Sequence, residues 1–391
     1  MKKAHKMFFS ENALSPLAFP SLKQFEAEVV SMAVDILGGD KKCFGSMTSG
    51  GTESNMMAVK TAREWARDKK PEIKEPEVVL PESAHPSLNK ACHYFGVKDV
   101  MVPVGSDYKA DVKAMEKAIN ENTIMLVGSA IEYTRGVVDP IPELATVAKE
   151  RGLLMHVDSC LGGYMLPFVR QVGYPIPDFD LSVPGVTSIS ADLHKYGFTA
   201  KGASTILYHS KILWKYQFYA YVDWCGGVYV APTMGGTRPG SIIAAAWAGM
   251  KSMGLKGYLN IAKTTMEATK KLQEGINAIP ELSVIGDPVM TVFSFGSDTI
   301  PMYSLGDMME TRGWVMDRMQ KPQSLHLIVN PHHINIVDDY LKDLALCVEE
   351  IKTNPPKDEG KSAIYGLVAT MSDRDLVEDT IIKFMMDEYK V

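Results

Sequence analysis

The sequence contains few cysteines and lacks a long hydrophobic run. Its five cysteines are odd in number and widely spaced, which excludes a disulfide framework and a paired zinc motif and favours a reducing cytoplasm. No apolar run approaches the ~20 residues that a membrane-spanning helix needs. The basic start reaches Ser10 and Glu11 before a signal-peptide-like apolar stretch develops. We therefore expect a soluble, cytoplasmic protein without a transmembrane segment or a metal site.

Neither sign of charge dominates the chain. The net charge is −6, and basic residues stand among acidic ones, so the sequence lacks the positive surface of a nucleic-acid-binding protein. Hydrophobic residues make up 46% and charged residues 23% of the chain, which is typical of a globular protein and excludes a disordered or fibrous one. The 391 residues suggest two or three domains at about 150 residues each.

Short apolar segments of strand length alternate with helical segments through the first two thirds of the chain. The predicted helices are 22–37, 53–69, 111–120 and 141–151. The predicted strands are 78–80, 100–104, 123–129, 153–158, 187–191 and 204–209. Strands that alternate with helices indicate βαβ units and a mostly parallel sheet.

From about residue 254 the pattern changes. A long amphipathic helix is predicted at 259–279, and two short strands are predicted within 283–296. Helix and strand patterns follow, which is typical of a smaller α+β domain. We therefore predict an N-terminal arm and helix at 1–44, a large sheet domain at 45–253 and a small C-terminal domain at 254–391.

A glycine-rich turn, TSGGTES at residues 48–54, opens a predicted helix. Glycine lets the backbone approach a ligand closely, and the N–H groups and dipole of a helix start favour an anion. The segment is not a Walker loop, because no Gly-Lys-Ser/Thr follows. An ordinary tight turn with Thr52 as the helix N-cap explains this motif equally well when it is taken alone.

Two further motifs place an acid and a lysine after predicted strands. Asp158 ends a strand in the motif HVDSCLGG, where a carboxylate suits a protonated ring nitrogen or a metal, or caps a helix. His194 and Lys195 follow the next strand in SISADLHKYG. Desolvation would lower the pKa of an enclosed Lys195 and free its amine for a Schiff base, although most lysines lie at the surface.

These three motifs in combination fit a pyridoxal phosphate site at the carboxyl ends of the strands. The phosphate would lie on the helix start, the pyridine nitrogen on Asp158 and the aldehyde carbon on Lys195. A kinase-like phosphate site is a weaker interpretation, because the sequence has no Walker motif and no convincing pair of magnesium carboxylates.

Five segments resemble the sphingosine phosphate lyases, which belong to the fold type I, decarboxylase-like branch of pyridoxal phosphate enzymes. These segments are TSGGTES, ESAHPSLNKACHYFG, HVDSCLGG, SISADLHKYGFTAKGAS and DWCGGVYVAPTMGGTRPG. The resemblance extends from about Asn12 to about Tyr365 and Gly366. It implies an aminotransferase-like α/β fold, with a mostly parallel sheet flanked by helices, a smaller C-terminal α+β domain and the cofactor in the large domain.

The resemblance implies a role for three residues around the cofactor ring. Lys195 matches the lysine that forms the Schiff base. Asp158 matches the acid that keeps the pyridine nitrogen protonated, which makes the ring an electron sink. His85 matches the histidine that stacks on the ring, although a lone loop histidine is more often structural. Cys160, beside Asp158, is expected to pack rather than react.

The resemblance also implies how the cofactor phosphate is held. Gly51 and Thr52 match ligands of that phosphate, and His194 is expected to help them. Gly236 and Thr237 match a segment that family members contribute from the neighbouring subunit. The family therefore predicts a homodimer whose two chains share their active sites.

Three positions concern the substrate. Lys201 matches a lysine that holds the substrate phosphate as a point charge. Tyr229 matches a tyrosine near the reacting carbons, with a packed aromatic side chain as the alternative. Ser15 stands where the family has a histidine that helps to bind the substrate phosphate, and a serine brings no charge. The family's upstream tyrosine for the same phosphate would precede Met1, and so would the membrane anchor of eukaryotic relatives. These differences suggest a soluble, bacterial-type protein or a truncated gene.

The expected function is that of a pyridoxal phosphate-dependent carbon–carbon lyase. It would cleave a phosphorylated long-chain amino alcohol, such as sphingosine phosphate, into a fatty aldehyde and ethanolamine phosphate. The alternative is a group II amino acid decarboxylase with the same cofactor site. Lys201 and the motif GGVY favour the lyase, whereas Ser15 weakens it. A binding or scaffold protein without catalysis is disfavoured by the complete set of cofactor residues.

Overall fold

The computed structural model describes residues 1–354 and 371–389. The chain forms two compact units, of which the first comprises Met1–Met266 and Gly286–Met290 and the second comprises Glu267–Ile285 and Thr291–Val391. The three-part division predicted from the sequence stays a prediction. The end of the family resemblance, at Tyr365 and Gly366, lies outside the described residues.

The first unit contains a seven-stranded sheet with the strand order β1-β7-β6-β5-β4-β2-β3. Strand β7 is antiparallel to β1 and β6, and the other neighbours are parallel. The sheet is therefore mostly parallel, as predicted. Its strands are β1 Phe44–Thr48, β2 Glu77–Pro81, β3 Lys98–Val102, β4 Thr123–Ser129, β5 Leu154–Asp158, β6 Ser188–Ala191 and β7 Ser204–Tyr208.

Helices precede, connect and follow the strands of this sheet. They are α1 Lys2–Met7, α2 Pro20–Ile36, α3 Gly51–Lys69, α4 Ser87–Phe95, α5 Val112–Ala118, α6 Ile141–Glu150, α7 Leu166–Gln171 and α8 Lys211–Trp214. Helix α3 buries Met57, Val59 and Ala62 in a core that also contains Val78 and Leu80 of β2. Burial of a valine, leucine or methionine side chain contributes about 1.5–3 kcal/mol, so the helix that begins at the glycine-rich turn is firmly packed on the sheet.

A β-hairpin stands apart from the main sheet. Its strands, β8 Tyr219–Trp224 and β9 Gly227–Ala231, pair antiparallel with each other. Every residue of β8 is exposed in the single chain. Helix α9, Gly240–Asn277, follows the hairpin and is interrupted at Gly254, whose φ of 57° and ψ of 177° are not helical. Glycine adopts this positive φ without the steric cost that a side chain would add.

The second unit contains a four-stranded antiparallel sheet with the order β10-β11-β13-β12. Its described elements are β10 Ser283–Val284, β11 Val292–Gly296, α10 Met302–Thr311, β12 Asp317–Met319, β13 Ser324–Ile328, α11 Val337–Thr353 and α12 Arg374–Glu388. An α+β composition was predicted here, with two strands in 283–296. Among the described residues, no helix is both long and apolar enough to cross a bilayer.

Candidate active site

The loops after β1, β5 and β6 meet at one edge of the large sheet, because parallel strands point their carboxyl ends to the same side. A cavity of about 340 Å³ opens there. Six of the residues predicted from the sequence line this cavity, namely Gly51, Thr52, His85, Asp158, His194 and Lys195. The structure thus brings together side chains that are up to 144 positions apart, the separation of Gly51 and Lys195.

The glycine-rich turn presents the start of α3 to this cavity. Gly50 is the N-cap residue and has no side chain with which to cap the helix. Thr52 lies inside the first turn and is therefore not the N-cap that the simpler interpretation of the sequence assumed. The first N–H groups of a helix lack partners within it, so this end favours an anion.

Gly51 is required by close packing. A Cβ at this position would lie 2.6 Å from the Sγ atom of Cys160 and 2.7 Å from Oδ2 of Asp192. Such contacts are too short for any side chain, so the glycine allows the helix start to approach the loops after β5 and β6. Cys160 is buried, and burial raises the pKa of its thiol well above its ordinary value. It therefore packs as a neutral group, as expected.

Asp158 is the last residue of β5 and is only 5% exposed. Its Oδ1 accepts a hydrogen bond from the backbone N–H of Cys160 at 3.0 Å, and its Oδ2 accepts one from Nδ2 of Asn55 at 2.8 Å. Burial raises the pKa of this carboxyl, but hydrogen bonding at Cys160 and the neighbouring His85 and His156 outweigh burial and lower it. The result is a buried, ionised carboxylate that faces the cavity, which suits a protonated ring nitrogen.

Lys195 forms an ion pair that the sequence interpretation missed. Its Nζ lies 3.0 Å from Oδ2 of Asp192, whose side chain is 1% exposed. Burial lowers the pKa of Lys195, but the Asp192 carboxylate outweighs burial and raises the pKa above its ordinary value. The expected lowering of the Lys195 pKa by desolvation is therefore wrong for this state of the protein, because desolvation is accompanied by a buried counter-charge.

The two cavity histidines are held by short-range hydrogen bonds. Nδ1 of His194 accepts from the backbone N–H groups of Gly202 and Ala203 at 3.2 and 3.1 Å. Its Nε2 therefore carries the proton and lies 3.5 Å from Oδ2 of Asp192. His85 lies in the loop between β2 and α4, where its Nδ1 is 2.9 Å from Oγ of Ser87.

A second cavity of about 510 Å³ adjoins the first, and the two share Ser49, Thr52 and Glu53. Lys201 and Thr237 line this second cavity. The Nζ of Lys201 donates to the backbone oxygen of His194 at 2.9 Å. Because this partner is an uncharged carbonyl at the surface, the lysine keeps its charge available for a ligand.

The remaining predicted residues do not line either cavity in the single chain. Tyr229 lies on β9, and its hydroxyl is 3.6 Å from the position that a Cβ of Gly236 would take. Ser15 is exposed and is absent from the lining of both cavities. The roles assigned to these three residues stay predictions.

The sequence did not indicate a role for Glu53, which lines both cavities. Its carboxylate accepts from the backbone N–H of Ser49 at 2.6 Å and from that of Met234 at 2.9 Å. Its position in the first turn of α3 was the one available signal, since acids are favoured there. No spacing rule links it to Met234, which is 181 positions away.

The fold and the site define a pyridoxal-dependent enzyme of the decarboxylase type. The model of the pyridoxal-dependent decarboxylase conserved domain matches residues 10–297. Similar relatives include the sphingosine-1-phosphate lyase of Arabidopsis thaliana, 46% identical over 100% of this chain and 72% of the relative, and that of Oryza sativa, 47% identical over 98% and 72%. The chain belongs to the sphingosine phosphate lyase family.

Solved structures agree with this family. The sphingosine-1-phosphate lyase of Burkholderia pseudomallei superposes with a TM-score of 0.88 at 38% identity, covering 90% of this chain and 82% of that one. A glutamate decarboxylase of Lactobacillus brevis superposes with a TM-score of 0.78 at 19% identity, covering 91% and 86%. The second likeness concerns the fold alone. The predicted family, the fold class and the pyridoxal phosphate cofactor are confirmed.

The residues of the first cavity fit the cofactor of this family. Lys195 offers the amine for covalent attachment, and the ionised Asp158 offers an acceptor for the ring nitrogen. The uncapped start of α3 offers N–H groups to the phosphate, and the absence of a side chain at Gly51 leaves that backbone accessible. Together these groups match the aldehyde, the ring nitrogen and the phosphate of the cofactor.

Proposed function

We propose that this enzyme cleaves the C2–C3 bond of a phosphorylated long-chain amino alcohol such as sphingosine phosphate. The products are a fatty aldehyde and ethanolamine phosphate. The observation that supports this most is the position of Lys201, which lines a cavity that adjoins the one containing Lys195. A cation in the adjoining cavity suits a substrate that carries both an amine and a phosphate.

The chain's own residues supply orientation and proton control. When bound, pyridoxal phosphate supplies an electron-withdrawing ring that accepts the electron pair of the broken bond. Asp158, ionised in its buried position, would keep a proton on the ring nitrogen. His85 would lie against the ring, and the start of α3 would bind the cofactor phosphate. A base removes the proton of the C3 hydroxyl as C3 becomes the aldehyde carbon, and C2 then regains a proton. Tyr229 is the proposed group for proton transfer near these carbons.

Lys201 is proposed to bind the substrate phosphate. It would exchange the carbonyl of His194, its present partner, for a charged phosphate oxygen, which is the stronger acceptor. Ser15 is proposed to add at most a neutral hydrogen bond. Ser15 is exposed and lines neither cavity of its own chain. It would therefore contact a substrate bound to a second copy of the chain.

A homodimer with shared active sites is proposed for the same reason. Several large side chains of the hairpin are exposed in the single chain, including Tyr221 at 47%, Val222 at 67%, Trp224 at 53% and Val228 at 69%. An exposed group of apolar side chains of this kind favours a protein partner. A second copy that covers β8 and β9 would also lie close to Tyr229 on β9, which is one of the residues that the family resemblance assigns to the shared site.

Amino acid decarboxylation is the second candidate. It is favoured by the uncharged Ser15, which removes one of the expected phosphate contacts. It uses the same cavity and the same Lys195 and Asp158, so the arrangement of cofactor residues does not separate the two reactions. The cytoplasmic location also stays a prediction.

The products separate these candidates. Purified protein loaded with pyridoxal phosphate is incubated with sphingosine phosphate, and the aldehyde and ethanolamine phosphate are measured by mass spectrometry. The proposal requires both products in equal amounts and their loss in Lys195→Ala. Sphingosine phosphate that remains intact while an amino acid releases carbon dioxide would support the decarboxylase instead.

A further inference from the structure

Asn55, on the first turns of α3, is 0% exposed and lies between the two sides of the cofactor cavity. Its amide makes four hydrogen bonds. Nδ2 donates to Oδ2 of Asp158 at 2.8 Å and to Oγ of Ser87 at 2.9 Å. Oδ1 accepts from Oγ of Ser190 at 2.9 Å and lies 3.2 Å from Nε2 of His156. Both amide hydrogens and both oxygen lone pairs are therefore used.

The orientation of this amide is determined by its neighbours. The ionised Asp158 can only accept, so the amide atom that faces it must be the nitrogen. Burial lowers the pKa of His156 to about 4, which keeps the imidazole neutral near pH 7. Its Nδ1 lies 2.9 Å from Oγ of Ser188, and a hydroxyl that donates there leaves Nε2–H to donate to Asn55. The donors and acceptors around the amide therefore match this orientation.

The second amide hydrogen connects Asn55 to His85. Because Oγ of Ser87 accepts from Asn55, its own hydrogen is directed to Nδ1 of His85, 2.9 Å away. The backbone N–H of Ser87 donates to the same Nδ1 at 3.2 Å. Nδ1 is therefore an acceptor, which leaves the proton of His85 on Nε2. The buried amide of Asn55 thus holds the carboxylate of Asp158 and, through Ser87, sets the tautomer of His85.

We propose that Asn55 is a positioning residue for pyridoxal phosphate, because it couples the carboxylate of Asp158 to the imidazole of His85. This inference rests on the cofactor site and does not depend on which substrate is cleaved. Asn55 is part of the cavity lining, but its amide bonds to protein neighbours, so it acts through Asp158 and His85. Its loss removes a donor from a buried carboxylate, which costs more than the loss of a hydrogen bond at the surface.

The test compares Asn55→Ala with a matched control, Asn89→Ala. Asn89 also donates through Nδ2 to an aspartate, Asp99, at 2.6 Å, but it is absent from both cavity linings. Apoprotein is titrated with pyridoxal phosphate, and the dissociation constant is obtained from the absorbance of the bound cofactor. We expect the dissociation constant to rise about tenfold or more in Asn55→Ala, and to stay within about twofold in Asn89→Ala, since Asn89 is absent from both linings.

A pH series distinguishes positioning from a general loss of structure. Without the Asn55 donor, the pKa of Asp158 rises. As the pH is lowered, Asn55→Ala should therefore lose cofactor affinity at a higher pH than the wild-type protein does. The inference is overturned if folded Asn55→Ala binds the cofactor with unchanged affinity and an unchanged acid limb, even when its melting temperature is lower.

If Asn55→Ala does not fold, Ser87→Ala provides the second test, because it breaks only the link to His85. It must weaken cofactor binding, and unchanged binding would overturn the coupling. No step requires lyase turnover, so the outcome is separate from that of the proposed function.

Discussion

The Nζ atom of Lys195 lies 3.0 Å from Oδ2 of Asp192, and this ion pair forms one wall of the cofactor cavity. Asp192 immediately follows β6 and precedes Lys195 by three residues. Burial raises the pKa of Asp192, but His194 and Lys195 outweigh it and lower that pKa. The Asp192 carboxylate therefore favours the ammonium form of Lys195 over the free amine.

Asp192→Asn should make cofactor attachment less dependent on alkaline pH. Covalent attachment requires neutral Lys195, and Asp192 raises the lysine pKa, so the neutral fraction grows only as pH rises towards that raised value. Without this carboxylate the main group that opposes burial is lost, and the Lys195 pKa falls. The rate of attachment, followed by absorbance, should reach its half-maximum at lower pH and be higher at pH 7.

Asp178→Asn serves as the control for that experiment. Asp178 pairs with Arg170 at 3.1 Å, but its side chain is 72% exposed, so its loss should leave the attachment profile unchanged. A profile of Asp192→Asn that coincides with that of the control, or that moves to higher pH, would contradict the role of Asp192.

Lys195→Ala should abolish the absorbance of covalently attached cofactor, because Lys195 supplies the only amine proposed to form that bond. Lys201→Ala should retain the absorbance, since Lys201 lines the second cavity and not the first. Absorbance spectra of both variants after incubation with pyridoxal phosphate and gel filtration check this. Equal absorbance in Lys195→Ala and the unchanged protein would show that the cofactor lysine is wrongly assigned.

Lys201→Ala should weaken the use of phosphorylated substrate. The loss of a charged hydrogen bond costs about 1.5–3 kcal/mol, which corresponds to a KM increase of about tenfold to a hundredfold. Lys201→Arg keeps the charge and should recover part of the loss. Steady-state kinetics with phosphorylated and unphosphorylated amino alcohols provide the comparison, and an equal loss for both would argue against phosphate recognition by Lys201.

Val222→Asp should convert a dimer into monomers and remove most activity, because a charge at a buried interface is strongly unfavourable. Light scattering after gel filtration measures the mass. Val315→Asp is the control, as Val315 is 90% exposed and lies on the second unit. An unchanged protein that is monomeric and fully active would refute the shared active site.

Much of the fold follows from local sequence patterns. The predicted helix at 22–37 corresponds to α2, Pro20–Ile36, and the predicted strand at 123–129 is β4, Thr123–Ser129. Both are long or strongly apolar, so periodicity identifies them. The hairpin β8–β9 was not predicted, because every residue of β8 is exposed in the single chain and the strand shows no alternation of buried and exposed positions.

The site was predicted less completely than the fold. Gly51, Asp158 and Lys195 stand in motifs, and the sheet brings them to one cavity as expected. Asp192 stands three residues before Lys195 in the same motif, but spacing alone does not show that the two side chains meet in a buried ion pair. The Lys195 pKa was therefore predicted in the wrong direction. Asn55 bonds to Asp158 across 103 positions, a contact that no motif spacing indicates.

The most direct test of the central claim records two products in one experiment. Holoenzyme is given sphingosine phosphate or a panel of amino acids, with Lys195→Ala as the inactive control, and fatty aldehyde and carbon dioxide are both measured. We predict fatty aldehyde and ethanolamine phosphate in equal amounts from sphingosine phosphate and no carbon dioxide from the amino acids. Carbon dioxide from an amino acid, with no fatty aldehyde from sphingosine phosphate, would contradict a carbon–carbon lyase.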